Sequence, residues 1–241
     1  MNAQNLWQHA PSTALLLASF VGLFTWQVLT GTSITEPTTQ DLIAWGANAL
    51  PLTMMNEPWR LLTSAFLHVG VIHLLFNGFA MLVFGRVAEP IFGSVAFLCL
   101  FVLSAIGGNL LSSYVTWHQV LHERQAIGVM AGASGGIMGI GASLLILALF
   151  KIKINGVQLN PKSLGWIMAI NLLYGFVVPG IDNAGHIGGA LTGMVLALLV
   201  GLTWRTSLGL QRFGFALGVL ALSVGFVWGW WTLHQNILAV I

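Results

Sequence analysis

The chain has 241 residues, of which 57% are apolar and only 6% charged, with a mean hydropathy of +0.89. Soluble domains carry roughly a quarter charged residues, so this composition cannot build a water-facing surface and excludes a soluble globular protein. The net charge is +2, but the basic residues are scattered and form no patch, which excludes nucleic acid as a partner.

A membrane-spanning helix needs about 20 apolar residues, so the length suits a bundle of about seven. In chain order, apolar runs punctuated by Pro, Gly or charge predict helices near 13–30, 61–84, 92–115, 134–150, 163–178, 186–203 and 213–233. Residues 1–12 hold no Lys or Arg, so the first run lacks the basic flank of a signal peptide and is expected to be retained. Residues 30–60 are polar, with Glu36, Pro37, Asp41, Pro51, Glu57 and Pro58, and are predicted to form an external hairpin or cap. Cys99, the single cysteine, lies in an apolar stretch. It allows no intramolecular disulfide or multi-cysteine metal site and is expected to be a buried packing residue. With no tandem repeat, the expectation is one all-α polytopic membrane domain over residues 1–241.

Orientation follows from the basic residues. With the N-terminus inside, the inner loops hold Arg86, Lys151, Lys153, Lys162, Arg205 and Arg212, and the outer loops hold Arg60 and Arg124. Basic residues of short loops stay preferentially on the cytoplasmic side, so this asymmetry predicts N-in and C-out. Trp59, Trp117, Trp166 and Trp204 fall near predicted span ends, where indole rings favour the interface.

In that topology the second, fourth and sixth helices all run inward, and their early residues share the outer half of the membrane. Those residues include His73 and Asn77, Ser134, and His186. A polar side chain within a span is costly and marks a functional hypothesis. Ser134 lies in Gly132-Ala133-Ser134-Gly135-Gly136, where small neighbours would let a substrate carbonyl approach. The N–H groups of a helix start favour a developing oxyanion. A serine hydroxyl needs a base to become a nucleophile. His186 is followed at three and seven positions by Gly189 and Gly193, on one helical face, which could meet a small-residue face at Gly135 and Gly139. A dyad results, with Ser134 as nucleophile and His186 as general base and then acid. His73 and Asn77, four apart, can both donate hydrogen bonds and are candidate oxyanion donors beside the Ser134 N–H. Each feature also has a purely structural reading: small-residue helices pack closely in membranes, and a His or Asn can tie two helices together.

Taken together these residues resemble the rhomboid intramembrane serine proteases, from the first helix through the sixth. The family's GxSG stands as Gly132-Ala133-Ser134-Gly135, its HxxxN as His73 to Asn77, and its histidine with small-residue packing as His186, Gly189 and Gly193. Its Trp-Arg pair is Trp59-Arg60, and His68 matches a further histidine found upstream of HxxxN in many members. The sequence departs at Met138, where bacterial members often place an aromatic residue against the catalytic histidine, so altered packing of the dyad is expected. It also carries a seventh helix after Arg212.

The resemblance implies a bacterial-type six-helix core, about 13–203, plus one extra C-terminal helix, about 213–233. It implies hydrolysis of a peptide bond in or next to a substrate's transmembrane helix, with no metal or organic cofactor. Transmembrane proteins and membrane lipids would be its partners, in a bacterial cytoplasmic membrane and with the site opening to the outer side. A small residue would precede the scissile bond. Access would come through movement of the fifth helix and an outer cap, with Pro179 and Gly180 permitting the motion. Two other readings stand beside it: a non-proteolytic scaffold that binds transmembrane clients, and a small-solute transporter, disfavoured because the polar groups gather on one side. His118 and His122, with Glu123, are expected on a solvated loop face, with metal binding as the alternative. Asp182 is expected to cap its loop instead of orienting His186.

Overall fold

The computed structural model describes all residues except 1–2, 124–127, 155–156, 178–180 and 241. Arg124, Pro179 and Gly180 therefore lie outside the described residues. In chain order the helices are α1 (Ala3–His9), α2 (Pro11–Leu29), α3 (Thr39–Ala44), α4 (Leu50–Met55), α5 (Arg60–Thr63), α6 (Val71–Phe92), α7 (Ser94–Glu123), α8 (Ser134–Leu149), α9 (Pro161–Val177), α10 (Asn183–Thr203) and α11 (Leu208–Leu238). Five of these, α2, α6, α7, α10 and α11, are long and apolar enough to cross a membrane, and α8 is apolar but shorter. The protein is an all-α, multi-pass integral membrane protein, as its composition demands.

The length of α8 has a consequence for depth. Its 16 residues span about 24 Å, less than the roughly 30 Å of a hydrocarbon core. The 30 residues of α7 reach about 45 Å. A helix this short leaves at least one of its ends below the membrane surface.

The run predicted as one helix over 61–84 is broken. After α5 the chain makes a 3-10 turn at Ser64–Phe66, and α6 starts only at Val71. Gly70, at φ +99°, causes the break: a side chain there would be strained and would also meet the Thr35 carbonyl. In return α6 continues to Phe92, with Pro90 in its last turn. The third predicted helix is longer than its apolar run, because α7 extends to Glu123. His118 and His122 therefore sit on its last turns, with ring centroids 4.4 Å apart, and not in a loop. No group of three metal-ligating side chains forms among the described residues. Cys99 is half-exposed, not buried. The polar segment 30–60 is an ordered cap whose strand β1 (Asn48–Ala49) pairs antiparallel with β2 (Val129–Met130), Asn48 opposite Met130 and Ala49 opposite Val129.

The α8 helix forms the centre of the bundle and is buried throughout residues 136–144. Gly139 and Gly193 touch backbone to backbone, as do Gly135 and Gly189. Two contacts spaced four residues apart on both helices make α8 and α10 parallel and in register. Small residues permit this approach where lipid supplies no hydrophobic drive between helices.

Elsewhere an acidic side chain replaces a missing cap. α2 begins at Ala10-Pro11 with no capping side chain of its own. Glu89 of α6 reaches across, and its carboxylate accepts hydrogen bonds from the N–H groups of Ser12 (2.8 Å) and Thr13 (2.7 Å). It also accepts from the hydroxyls of Thr13 (2.8 Å) and Ser94 (2.7 Å). A carboxylate at a helix N-terminus satisfies orphan donors and meets the positive end of the dipole. That accounts for a buried acid in a membrane protein.

Candidate active site

Ser134 is the first residue of α8, behind an N-cap, Ala133, that offers no side-chain hydrogen bond. The segment leading to it is held from two sides. β2 pairs with β1, and the Gly132 N–H donates to the Ser64 carbonyl at 2.9 Å. Ser64 is itself held by α7, where Asn109 Nδ2 donates to its hydroxyl at 2.9 Å. Gly132 has φ +148°, and a Cβ there would stand 2.7 Å from His73 Cε1, 3.0 Å from His73 Nε2 and 3.7 Å from Asn77 Nδ2. The HxxxN side chains of α6 therefore lie directly against the backbone two residues before Ser134.

The His73 tautomer follows from its neighbour. The Val69 N–H donates to His73 Nδ1 at 3.3 Å, so the neutral ring carries its hydrogen on Nε2. That N–H and the Asn77 amide lie on the Gly132 side, and Asn77 Nδ2 is buried without a partner. Two hydrogen-bond donors thus converge on one backbone stretch, and one of them has nothing to bind.

α10 brings the second imidazole. Asp182 is its N-cap, with Oδ1 accepting from the Gly185 N–H at 2.8 Å, so its carboxylate serves the helix end. His186 follows, buried, with Nδ1 unpartnered. A Cβ on Gly135 would lie 3.3 Å from the Gly185 carbonyl oxygen, which sets the first turn of α10 beside the first turn of α8. Ser134, Gly132, Gly135, Asn109, Asp182 and Gly185 line a common cavity of about 30 Å³, room for a water molecule. No hydrogen bond joins Ser134 to His186 among the described residues. Such contacts often tighten only with substrate in place.

The structure therefore gathers Ser134, His186, His73, Asn77, Gly132 and Gly135, with Gly189 and Gly193 as the helix contact beneath. Trp59 and Arg60 act in the cap. Arg60 is buried and bridges Glu57 (2.5 Å) and the carbonyls of Ile43 (2.7 Å) and Ala47 (3.0 Å), with its guanidinium 4.6 Å from the Trp59 ring centroid. His68 is buried 5.5 Å from the His73 ring. Met138 packs with Ala142, Met168 and Ala190, the last of these one turn after His186 on α10. Sequence reasoning missed Ser64 and Asn109, which hold the strand before Ser134. An asparagine following Gly107-Gly108 in an apolar helix was the available signal.

The fold and this cluster define a polytopic helical membrane protein with its polar chemistry collected at one end of a central short helix. The Rhomboid domain family matches residues 55–203, and the chain belongs to the rhomboid family. It is 36% identical over 190 residues to Rhomboid protease GluP of Bacillus subtilis (strain 168), covering 79% of this chain and 35% of that protein. It is 33% identical over 174 residues to Rhomboid protease AarA of Providencia stuartii (66% and 61%). It is 34% identical over 186 residues to RHOMBOID-like protein 6, mitochondrial, of Arabidopsis thaliana (76% and 57%). The chain thus spans between about a third and three fifths of the length of these curated relatives. α11 lies beyond the family match.

Proposed function

We propose that this protein is an intramembrane serine protease that cleaves peptide bonds in or next to substrate transmembrane helices, with Ser134 as nucleophile and His186 as general base and then acid. The observation that supports the reading is the parallel, in-register contact of α8 and α10 at Gly135–Gly189, with the first turns of the two helices side by side. His186 accepts the Ser134 proton as Oγ attacks the substrate carbonyl, and returns it to the leaving amine. Water, deprotonated by the same imidazole, then releases the acyl group. The carbonyl oxygen, negative in each tetrahedral intermediate, is met by His73 Nε2–H, the Asn77 amide and the Ser134 N–H. A helical carbonyl is already hydrogen-bonded, so the substrate helix must unwind locally before it can react.

The reading places the chain in a bacterial cytoplasmic membrane, N-terminus inside and C-terminus outside, with the site facing the exterior. The six-to-two distribution of basic residues supports that orientation, and two of the relatives are named rhomboid proteases. The test is cleavage of a single-span reporter by the purified protein in detergent or vesicles, beside Ser134→Ala and His186→Ala. Cleavage by the unaltered chain alone, with fluorophosphonate labelling of Ser134, is the expected result. Equal cleavage by all three would overturn the dyad, and neither cleavage nor labelling would overturn the protease.

A further inference from the structure

α11 contributes few buried side chains to the bundle, and two of its three, Leu233 and Ile237, sit in its last two turns. They pack with Leu50, Met54 and Leu61 of the cap. In the same turns Trp230 Nε1 donates to the Thr53 carbonyl at 3.0 Å, and His234 Nδ1 meets the Met54 carbonyl at 2.7 Å. A carbonyl oxygen can only accept, so His234 carries a hydrogen on Nδ1. The Trp230 and His234 rings stack at 5.2 Å and 10°, which locks both donors in place. The two carbonyls belong to consecutive residues of α4, at its C-terminal end, where helix carbonyls lack intrahelical partners.

The linkage continues inward. Thr53 is fully buried, and its hydroxyl accepts from the Ala49 N–H at 3.2 Å. Ala49 pairs with Val129 and Asn48 with Met130, and the strand holding Val129 and Met130 runs directly into Gly132 and Ser134. We propose that Trp230 and His234 are positioning residues for the catalytic strand: the end of α11 clamps α4, and α4 sets β1, β2 and the Gly132–Ser134 segment. The inference rests on the protease reading for its effect on catalysis, while the strand clamp itself is a structural statement measurable without activity.

The test uses the full chain with Trp230→Phe/His234→Phe, His234→Phe and His234→Asn. Phenylalanine keeps ring and volume but has no donor. The asparagine Nδ2 stands near the position of His Nδ1 and keeps the donor while losing the ring. Two readouts are taken: kcat and KM on the reporter, and amide hydrogen exchange at Ala49, Val129 and Met130. The double variant should lose about tenfold in kcat with KM unchanged and exchange about tenfold faster at those amides, since each lost hydrogen bond is modest. His234→Asn should stay within about twofold of the unaltered chain, and His234→Phe should fall between it and the double variant. Unchanged exchange in the double variant, or His234→Asn impaired as badly as His234→Phe, overturns the proposal. If the unaltered chain cleaves nothing, the protease reading fails and the exchange measurement still decides the clamp.

Discussion

The carbonyl oxygen of Gly135 rests against the α-carbon of Gly189, and a methyl group on Gly189 would have to occupy the space that oxygen holds. The obstacle is backbone on a buried helix, which cannot rotate away as a side chain would. Gly189→Ala should therefore force α8 and α10 apart, lower the melting temperature by about 5–10 °C and abolish reporter cleavage. Gly225→Ala is the contrast: nothing lies within 4 Å of a Cβ there, and Ala favours a helix interior over Gly. Its melting temperature should hold or rise. Thermal unfolding followed by circular dichroism in one detergent reads both, and an unshifted Gly189→Ala would show that the two helices are not in backbone contact.

Asn77 separates activity from stability. Its Nδ2 is buried and unpartnered in the resting structure, so removing it relieves an unsatisfied donor and takes away no hydrogen bond. If the amide meets the oxyanion, Asn77→Ala should lose about 10²–10³-fold in kcat while the melting temperature stays within about 4 °C. A parallel collapse of both quantities would assign Asn77 to helix tethering.

Glu89 offers the opposite pattern. Its four donors, two from the start of α2 and two hydroxyls, all point at a carboxylate. A Gln amide keeps one acceptor, turns a donor group toward donors, and removes the charge from the helix terminus. Glu89→Gln should cost about 2–4 kcal/mol of stability and leave the kcat of the folded fraction near that of the unaltered chain. Denaturant or thermal unfolding beside initial-rate kinetics checks this, and an unchanged melting temperature would refute the capping role.

The side chains grouped at the site were legible in sequence because each carries a cost a membrane does not tolerate idly: a serine among glycines, two histidines and an asparagine in apolar runs. Their spacing of three, four and seven is local, so helical geometry alone assigned them to faces. The break before α6 was not legible, since 61–84 reads as one mainly apolar run around a few polar residues and hydropathy does not reveal where the backbone turns. Only the left-handed conformation at Gly70 does. The end of α7 was missed for the converse reason. Its last two turns are polar enough to look like loop, yet the helix continues to Glu123.

Composition by itself determined that this chain lives in a membrane, and motif spacing singled out the few polar residues for which a chemical role is proposed. Tertiary structure decided what those residues can do. The cap that Glu89 supplies to α2 joins positions 77 and 76 residues apart, and Trp230 and His234 grip α4 across 177 and 180 residues. Periodicity carries no information about such pairs, because the preference of a carboxylate or an indole for its partner is set by proximity in the folded chain. The tautomer of His73 is of the same kind: the imidazole is named by the sequence, but the Val69 N–H that selects Nε2 as its donor faces it only once the turn before α6 has formed.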